Sequence, residues 1–387
     1  MKNIIILGAT GSIGDSVLSV IKQNKNNLNL LGITFSSNID KAKDIINEFK
    51  LKYVYSELDE SHEYLKHTFE SNLELNILKD KSELEELLNK YDVDIIVSAI
   101  SGFAGLESTL MAAKTGKTIL LANKESIVVA GEIVLPLAKE HSTEIIPIDS
   151  EHNAIFQCLN EDKNTDDVSK IIITASGGPF INKKISELSK VTKKEALNHP
   201  NWEMGAKITI DSASLVNKCL ELIEAKYLFN LNEEFFDLVV HPQSIIHSIV
   251  TYTDGSSICQ MSNPDMRVPI AHALSVNDKR LALNFSEIDF SSLKLTFKDI
   301  PEDRSELINI ARNICNIGGS SGTIFNAANE IAVQSFLEEQ ITFDKIYDVI
   351  YRTFNAIPMS KYIDIDTIYE TDNQTRIEAK KVVKSIS

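Results

Sequence analysis

A chain of 387 residues has room for two or three domains, and 43% hydrophobic with 24% charged residues is the make-up of a folded globular protein, which excludes a disordered chain and a small disulfide scaffold. Its 55 acidic residues outnumber 39 basic ones, for a formal net charge of −16, so most of its surface repels nucleic acid. No apolar run approaches the roughly 20 residues of a membrane helix, so neither nucleic acid nor membrane is expected as a partner.

Residues 3–7, Asn-Ile-Ile-Ile-Leu, have the short β-branched composition of a buried strand, and glycine ends it. A helical pattern follows over 12–23, then a strand over 28–35, helices over 40–50 and 81–90, and strands over 94–100, 118–122 and 145–148. This alternation predicts a doubly wound parallel sheet for residues 1–149. Further on, a strand at 171–174 runs into Ala-Ser-Gly-Gly-Pro, residues 198–205 have loop composition, and one long helix is expected from Ser212 to Phe229. Strand patterns at 237–240, 245–252 and 256–261, the last two joined by Asp254-Gly255, make 150–276 an α+β domain. Residues 277–300 lack periodicity and suggest a linker; 301–387 predict a small helical domain with helices at 302–315, 323–338, 343–354 and 372–386.

Gly8-Ala-Thr-Gly11-Ser-Ile-Gly14 follows the first strand and opens the first helix. Glycines there permit a tight turn and let backbone approach a pyrophosphate at the helix N-terminus, the dinucleotide arrangement. The second strand ends in Thr34-Phe-Ser-Ser-Asn38 without the carboxylate that would take a ribose 2′-hydroxyl, which favours NADP(H) over NAD(H). Thr115-Gly116-Lys117-Thr118 ends like a nucleotide-triphosphate loop, but Met111 stands where its first glycine belongs and the segment precedes a strand.

Asp149 and Glu151 flank Ser150 at a strand end, where an extended backbone would aim both carboxylates the same way. Hard oxygen donors suit Mg²⁺ or Mn²⁺, although the pair alone fits two solvated carboxylates better. Asn217, Lys218, Glu221 and Glu224 recur at helical spacing among apolar neighbours: a wet helix face by default, a phosphate and metal site if it faces a cleft. Ser176-Gly177-Gly178 could wrap an anion or simply turn the chain. Residues 198–205, with His199 and Trp202, have lid-like composition, and His241 and His247 are read as structural. Cys158, Cys219, Cys259 and Cys315 form no CxxC pair, which points to free thiols in a reducing cytoplasm.

Together these stretches resemble the 1-deoxy-D-xylulose 5-phosphate reductoisomerase family. The resemblance is carried by residues 8–14, Leu-Ala-Asn-Lys-Glu-Ser (121–126), Asp-Ser-Glu-His-Asn-Ala (149–154), Ser-Gly-Gly-Pro-Phe (176–180), His-Pro-Asn-Trp (199–202), Asp-Ser-Ala-Ser (211–214), Asn-Lys-Cys-Leu-Glu (217–221), His-Pro-Gln-Ser (241–244) and Asn-Ala-Ala-Asn-Glu (326–330). It implies a Rossmann-like N-terminal domain, a central catalytic α+β domain and a C-terminal helical domain, paired into a homodimer. It also implies Mg²⁺- or Mn²⁺-dependent isomerisation of a sugar phosphate, 1-deoxy-D-xylulose 5-phosphate, and its reduction by NADPH to 2-C-methyl-D-erythritol 4-phosphate, a step in isoprenoid precursor synthesis. By that resemblance Asp149, Glu151 and Glu221 hold the metal, and with Lys124 form the catalytic set. Ser150, Ser176, His199, Trp202, Ser212, Asn217 and Lys218 join Lys124, Glu151 and Glu221 in contacting substrate. Thr10, Gly11, Ser12, Ile13, Asn38, Asn123, Glu125, Met204 and Gly205 contact NADPH. The chain departs from the family at Ser36-Ser37, where glycine and a basic residue are common, at Cys219 in place of glycine, and at Glu203 in the lid. Two rival readings are a semialdehyde dehydrogenase, which needs a nucleophilic cysteine, and a non-catalytic NADP(H) sensor.

Overall fold

The structure is a computed structural model that describes every residue except Asn277, Tyr362 and Ser387; the first residue of the expected linker and the last of the C-terminal stretch therefore lie outside the described residues. In chain order the elements are β1 (Lys2–Leu7), α1 (Ser12–Gln23), β2 (Leu28–Phe35), α2 (Ile39–Phe49), β3 (Tyr53–Ser56), α3 (Asp59–Thr68), β4 (Asn76–Leu78), α4 (Lys81–Leu88), β5 (Ile95–Ser98), α5 (Leu106–Ala113), β6 (Thr118–Leu121), α6 (Lys124–Glu140) and β7 (Glu144–Pro147). There follow α7 (Ser150–Cys158), β8 (Val168–Ala175), α8 (Lys193–Ala196), α9 (Ala206–Ser214), α10 (Val216–Leu228), β9 (Phe236–Val240), β10 (Ile246–Tyr252), β11 (Ser257–Met261), α11 (Arg267–Leu274), α12 (Ser305–Ile317), α13 (Ser321–Leu337), α14 (Lys345–Ala356) and α15 (Ile365–Ile386). No helix among the described residues is long and apolar enough to cross a membrane.

The chain divides into two compact units: residues 1–123, 134–149 and 266–285 form the first, and 124–133, 150–265 and 286–387 the second. Compactness thus cuts across chain order. Residues 266–285, which include α11, cluster with the first unit, and α6 is shared, with non-helical backbone at Ala130 (φ −142°) shortly before its second part begins.

The first unit is built on a seven-stranded sheet of order β4-β3-β2-β1-β5-β6-β7, and every neighbouring pair is parallel. A parallel sheet covered on both faces needs strands apolar along their whole length. Ile4, Ile5, Ile6 and Leu7 are fully buried, as are Ile96, Val97 and Ile119. Strand order reverses at β1, which pairs with both β2 and β5, so the turns leaving β1 and β5 diverge and open the crevice where such sheets bind ligands. β3, β4 and α3 carried too little apolar periodicity to be read from sequence.

The second unit holds a four-stranded sheet of order β11-β10-β8-β9, antiparallel except for the β8–β9 pair. One hydrophobic cluster joins this sheet to α10, α12, α13 and α14, through Ile171, Leu220, Ile314, Phe325 and Ile346.

Two local expectations are corrected. Ser150 does not continue an extended strand; it starts α7, so Glu151 lies in a helix's first turn. The backbone leaves the sheet as soon as β7 ends, which puts Glu151 on a helix face instead of a strand face. Nor is 212–229 one helix. Leu215 adopts left-handed backbone (φ 66°) and separates α9 from α10. Its burial at 3% exposure keeps a strained apolar residue at the break.

Gly14 shows how closely the first turn is packed: a Cβ there would lie 2.1 Å from the carbonyl oxygen of Ala9. Gly14→Ala must push α1 away from the β1 turn, and overpacking of this kind costs about 1–3 kcal/mol. The expected result is an earlier urea transition by circular dichroism; an unchanged midpoint would mean that the turn has room.

Candidate active site

The second unit gathers a charge cluster at the start of α10. The helix break at Leu215 frees a new helix N-terminus and sets Asn217 and Lys218 in its first turn, with Glu221 one turn later. Lys218 Nζ lies 2.6 Å from Glu151 Oε1 and 2.5 Å from Glu221 Oε2. Lys124, in the first turn of α6, donates to Asn217 Oδ1 at 2.9 Å and stands 3.4 Å from Glu221 Oε1. The Asn217 amide also donates to Glu221 Oε1, and Ser150 Oγ donates to Glu151 Oε2 at 2.5 Å. Glu221 is fully buried, and Lys124 and Lys218 nearly so. The stripe therefore packs against α6 and α7 and is not a wet helix face.

Burial works to lower the Lys218 pKa, but the Glu151 and Glu221 carboxylates outweigh it and hold the ammonium above its ordinary value. Two carboxylates with oxygens within 4.8 Å of each other persist in a buried place only because cations compensate them. The donors are hard oxygens, which fits Mg²⁺ or Mn²⁺. Asp149 ends the 134–149 segment of the first unit and is joined directly to Ser150.

The placement of Glu151 and Glu221 depends on a pairing, His152 with Glu224, that sequence reading missed. His152 Nε2 donates to the Glu221 carbonyl at 3.0 Å, and its Nδ1 lies 3.0 Å from Glu224 Oε2. His152 and Glu224 are both fully buried or nearly so, tying α7 to α10. Ser248 Oγ on β10 donates to the Glu151 carbonyl at 2.9 Å. The sequence signal was present: His152 follows Glu151, and Glu224 lies one turn beyond Glu221.

The Ser176 turn reaches the end of α9. Gly177 and Gly178 take positive φ (83° and 64°), and a Cβ on Gly178 would lie 2.8 Å from Ala213 Cα and 3.0 Å from the Ser212 carbonyl. Ser212 and Ser176 are thereby neighbours through Gly178. The loop 198–205 is anchored by Asn201, whose amide donates to Pro242 O at 2.7 Å and Ser244 Oγ at 2.9 Å. Trp202 meets the His247 ring edge-on at 5.9 Å. Met204 is half-buried and Gly205, which starts α9, is exposed. His241 and His247 have protein partners, Thr296 and Ser262.

In the first unit, Gly8 (φ 88°) turns the chain, its N–H donating to Thr34 Oγ1 at 3.0 Å. Gly11 is the N-cap of α1 and supplies no side-chain cap, so the turn of Thr10, Gly11, Ser12 and Ile13 presents helix N–H groups suited to a phosphate. Asn38 caps α2 by accepting from Lys41 N–H at 3.2 Å. The Asn123 amide donates to the carbonyls of Ile100 (2.6 Å) and Gly102 (2.9 Å), shaping the turn after β5. Sequence reading missed Lys41, whose ammonium donates to the Thr10 carbonyl at 2.9 Å and pairs with Asp15 at 2.6 Å. It supplies a cation beside the glycine turn, one helical turn after Ser37.

Glu125, a predicted cofactor contact, is buried in the second unit and paired with Lys207 at 2.7 Å. The three buried cysteines do not suit a nucleophile. Burial pushes the thiols of Cys158 and Cys315 up to about 12, and that of Cys219 higher still. Cys259 is exposed on β11.

The chain resembles known proteins throughout its length. A family profile described as 1-deoxy-D-xylulose 5-phosphate reductoisomerase matches residues 4–131, the C-terminal domain of that enzyme matches 145–229, and a further DXP reductoisomerase C-terminal domain matches 261–378. A 1-deoxy-D-xylulose 5-phosphate reductoisomerase of Thermoanaerobacter sp. (strain X514) is 43% identical over 387 residues, covering 99% of this chain and 100% of the relative. One from Francisella tularensis subsp. holarctica is 43% identical over 378 residues, covering 96% of each. A crystal structure of DOX-P reductoisomerase with NADPH, fosmidomycin and magnesium superposes with a TM-score of 0.91 at 39% identity, covering 99% of this chain and 98% of the other. The Zymomonas mobilis enzyme with NADPH gives 0.91 at 37% identity, with full coverage of both chains.

His199 yields a test of the site's geometry. Its Nδ1 accepts the N–H groups of Asn201 (3.2 Å) and Trp202 (3.0 Å), so the ring proton sits on Nε2 and is shared with Ser176 Oγ at 2.9 Å. Burial lowers its pKa to about 4, and protonation of Nδ1 would oppose two backbone donors. Because the unfolded value is about 6.5, His199 contributes stability that is present above pH 6.5 and lost as pH falls toward 4. Nitrogen-15 NMR should show the Nε2–H tautomer, with a midpoint near pH 4; a midpoint at the ordinary value would contradict the loop geometry.

Proposed function

The chain belongs to the 1-deoxy-D-xylulose 5-phosphate reductoisomerase family, and on that premise we propose that it isomerises 1-deoxy-D-xylulose 5-phosphate and reduces the product with NADPH to 2-C-methyl-D-erythritol 4-phosphate. The observation that carries this reading is the buried cluster of Glu151, Glu221, Lys218, Lys124 and Asn217. A non-catalytic sensor has no use for it. The thiols of Cys158, Cys219 and Cys315, pushed up by burial, weigh against the semialdehyde dehydrogenase reading.

Glu151, Glu221 and Asp149 would hold a divalent cation, and the turn 10–13 with Asn38, Asn123, Glu125, Met204 and Gly205 would hold NADPH. When bound, Mg²⁺ or Mn²⁺ supplies Lewis acidity toward the substrate's carbonyl and hydroxyl oxygens, and NADPH supplies the hydride. The protein's own groups do the rest. Lys218 and Asn217, at the N-terminus of α10, bind the substrate phosphate with Ser176 and Ser212. His199 offers Nε2–H to the same region, and Ser150 contacts the substrate beside Glu151. Binding energy from the phosphate orients the reacting end of a small molecule. Lys124 places its ammonium at Glu221, where it can orient a substrate oxygen or pass a proton. Trp202 and the loop 198–205 close over the substrate and exclude water while the aldehyde exists. The enzyme works as a cytoplasmic homodimer.

Lys41 supplies the cation for the 2′-phosphate that Ser36-Ser37 does not. Lys41→Met should weaken NADPH binding by roughly tenfold, as loss of one charged hydrogen bond implies, while NADH binding stays the same. An equal loss for both cofactors, by titration calorimetry, would remove Lys41 from that role.

The reaction is tested by following NADPH consumption on addition of 1-deoxy-D-xylulose 5-phosphate with Mg²⁺ or Mn²⁺. Oxidation should stop with a chelator, and 2-C-methyl-D-erythritol 4-phosphate should accumulate. Lys218→Ala should raise the substrate KM by roughly 10- to 100-fold, the equivalent of about 1.5–3 kcal/mol for a charged hydrogen bond. Absence of turnover by folded, NADPH-binding wild type would overturn the assignment, and an unchanged KM would return α10 to a structural role.

A further inference from the structure

The stretch Asn326-Ala-Ala-Asn329-Glu330 lies on α13, outside the groups used above, yet Asn326 and Asn329 are both fully buried. Asn329 Nδ2 donates to Asp211 Oδ1 at 2.8 Å. The other oxygen of Asp211 lies 3.0 Å from Lys207 Nζ, and Lys207 Nζ lies 2.7 Å from Glu125 Oε1. Glu330, beside Asn329, pairs with Arg376 of α15 at 2.6 Å. A line of paired groups thus runs from the C-terminal helices through α9 to the first turn of α6.

We propose that Lys207 and Asn329 are positioning residues that act on Lys124. Asn329 holds Asp211, Asp211 and Glu125 share Lys207, and Lys207 fixes Glu125, which is bonded to Lys124. Adjacent residues on a helix point about 100° apart. Glu125 accordingly faces α9 while Lys124 faces Asn217 and Glu221 on α10, and the first turn of α6 is clamped from two sides. Gly205, where the loop 198–205 ends, is the N-cap of α9, so the clamp also ties the root of that loop to Lys124. Burial would raise the Glu125 pKa, but Lys207 overcomes it and keeps the carboxylate ionised. A purely structural ion pair could sit anywhere on these helices; this one sits at the turn that presents the reacting lysine.

The inference rests on the reaction assigned above, so the experiment has a kinetic arm and an arm independent of turnover. In the kinetic arm, Lys207→Met should lower kcat by about tenfold or more, as misplacement of a catalytic group does, with a much smaller change in substrate KM. Lys207→Arg should recover most of the loss. Asn329→Leu combined with Lys207→Met should be no slower than Lys207→Met alone, because both act through one path. Asn329→Leu should lower kcat in the same direction and serves if Lys207→Met does not fold. In the second arm, hydrogen exchange of amides 124–128 should quicken in both variants while β10 keeps its protection. Unchanged kcat with unchanged exchange at 124–128 would overturn the relay, as would multiplicative losses in the double variant. Wild type without turnover would sink the reaction assignment instead, and the exchange arm would still decide the relay.

Discussion

Everything in the second unit's site depends on keeping two carboxylates ionised and close together away from water. Glu151 and Glu221 would repel each other if their charges were not met, and removing either from solvent is costly. Lys218 answers both carboxylates at once, and Lys124 adds a second positive charge beside Glu221. The rest of the local fold follows from that requirement. α10 must begin where it does so that Lys218 lies in its first turn, which needs the break at Leu215. α7 must begin at Ser150 so that Glu151 reaches Lys218. His152 and Glu224 then join α7 to α10, so the carboxylates cannot drift apart.

Leu215 costs backbone strain, yet the strain has a purpose. An uninterrupted helix would place Asn217 and Lys218 in mid-helix, away from any helix terminus. The left-handed residue ends α9 and starts a second helix, so an anion can be met by Lys218, Asn217 and the end of the helix together. Ser212, near the end of α9, is brought beside the Ser176 turn by the same break, with Gly178 small enough to allow the contact.

Much of this was legible in the sequence, and the limits have physical reasons. The β1 turn declared itself because glycine is required there: Gly14 has no room for a side chain and Gly8 takes positive φ. The spacing of Asn217, Lys218 and Glu221 was visible, but whether that stripe faced water or a site depends on α7 and α6, which contribute partners 67 and 97 residues away. The break at Leu215 left no mark because leucine signals helix, and only burial holds it in the left-handed region. Lys41 and Lys207 escaped notice for the same reason as His152: each acts through a partner on another element, and a lone lysine in a sequence is by default a solvated one. The resemblance to a family supplied roles for site residues that local pattern could not; it did not supply Lys41.

The net charge of −16 completes the physical picture. Both proposed ligands, a sugar phosphate and NADPH, are anions, so the overall field opposes their approach. Mobile ions screen that field beyond roughly 8 Å, which leaves binding to whatever lies within contact distance. Local cations matter here for that reason: Lys218 and Lys124 sit inside a buried cluster, and Lys41 sits against the glycine turn. At such sites the effective dielectric is lower and solvent screening weaker, so one ammonium can outweigh many distant surface carboxylates. An acidic protein can therefore bind anionic ligands by fixing a few lysines rigidly, and the buried carboxylates that fix them are themselves part of the acidic excess.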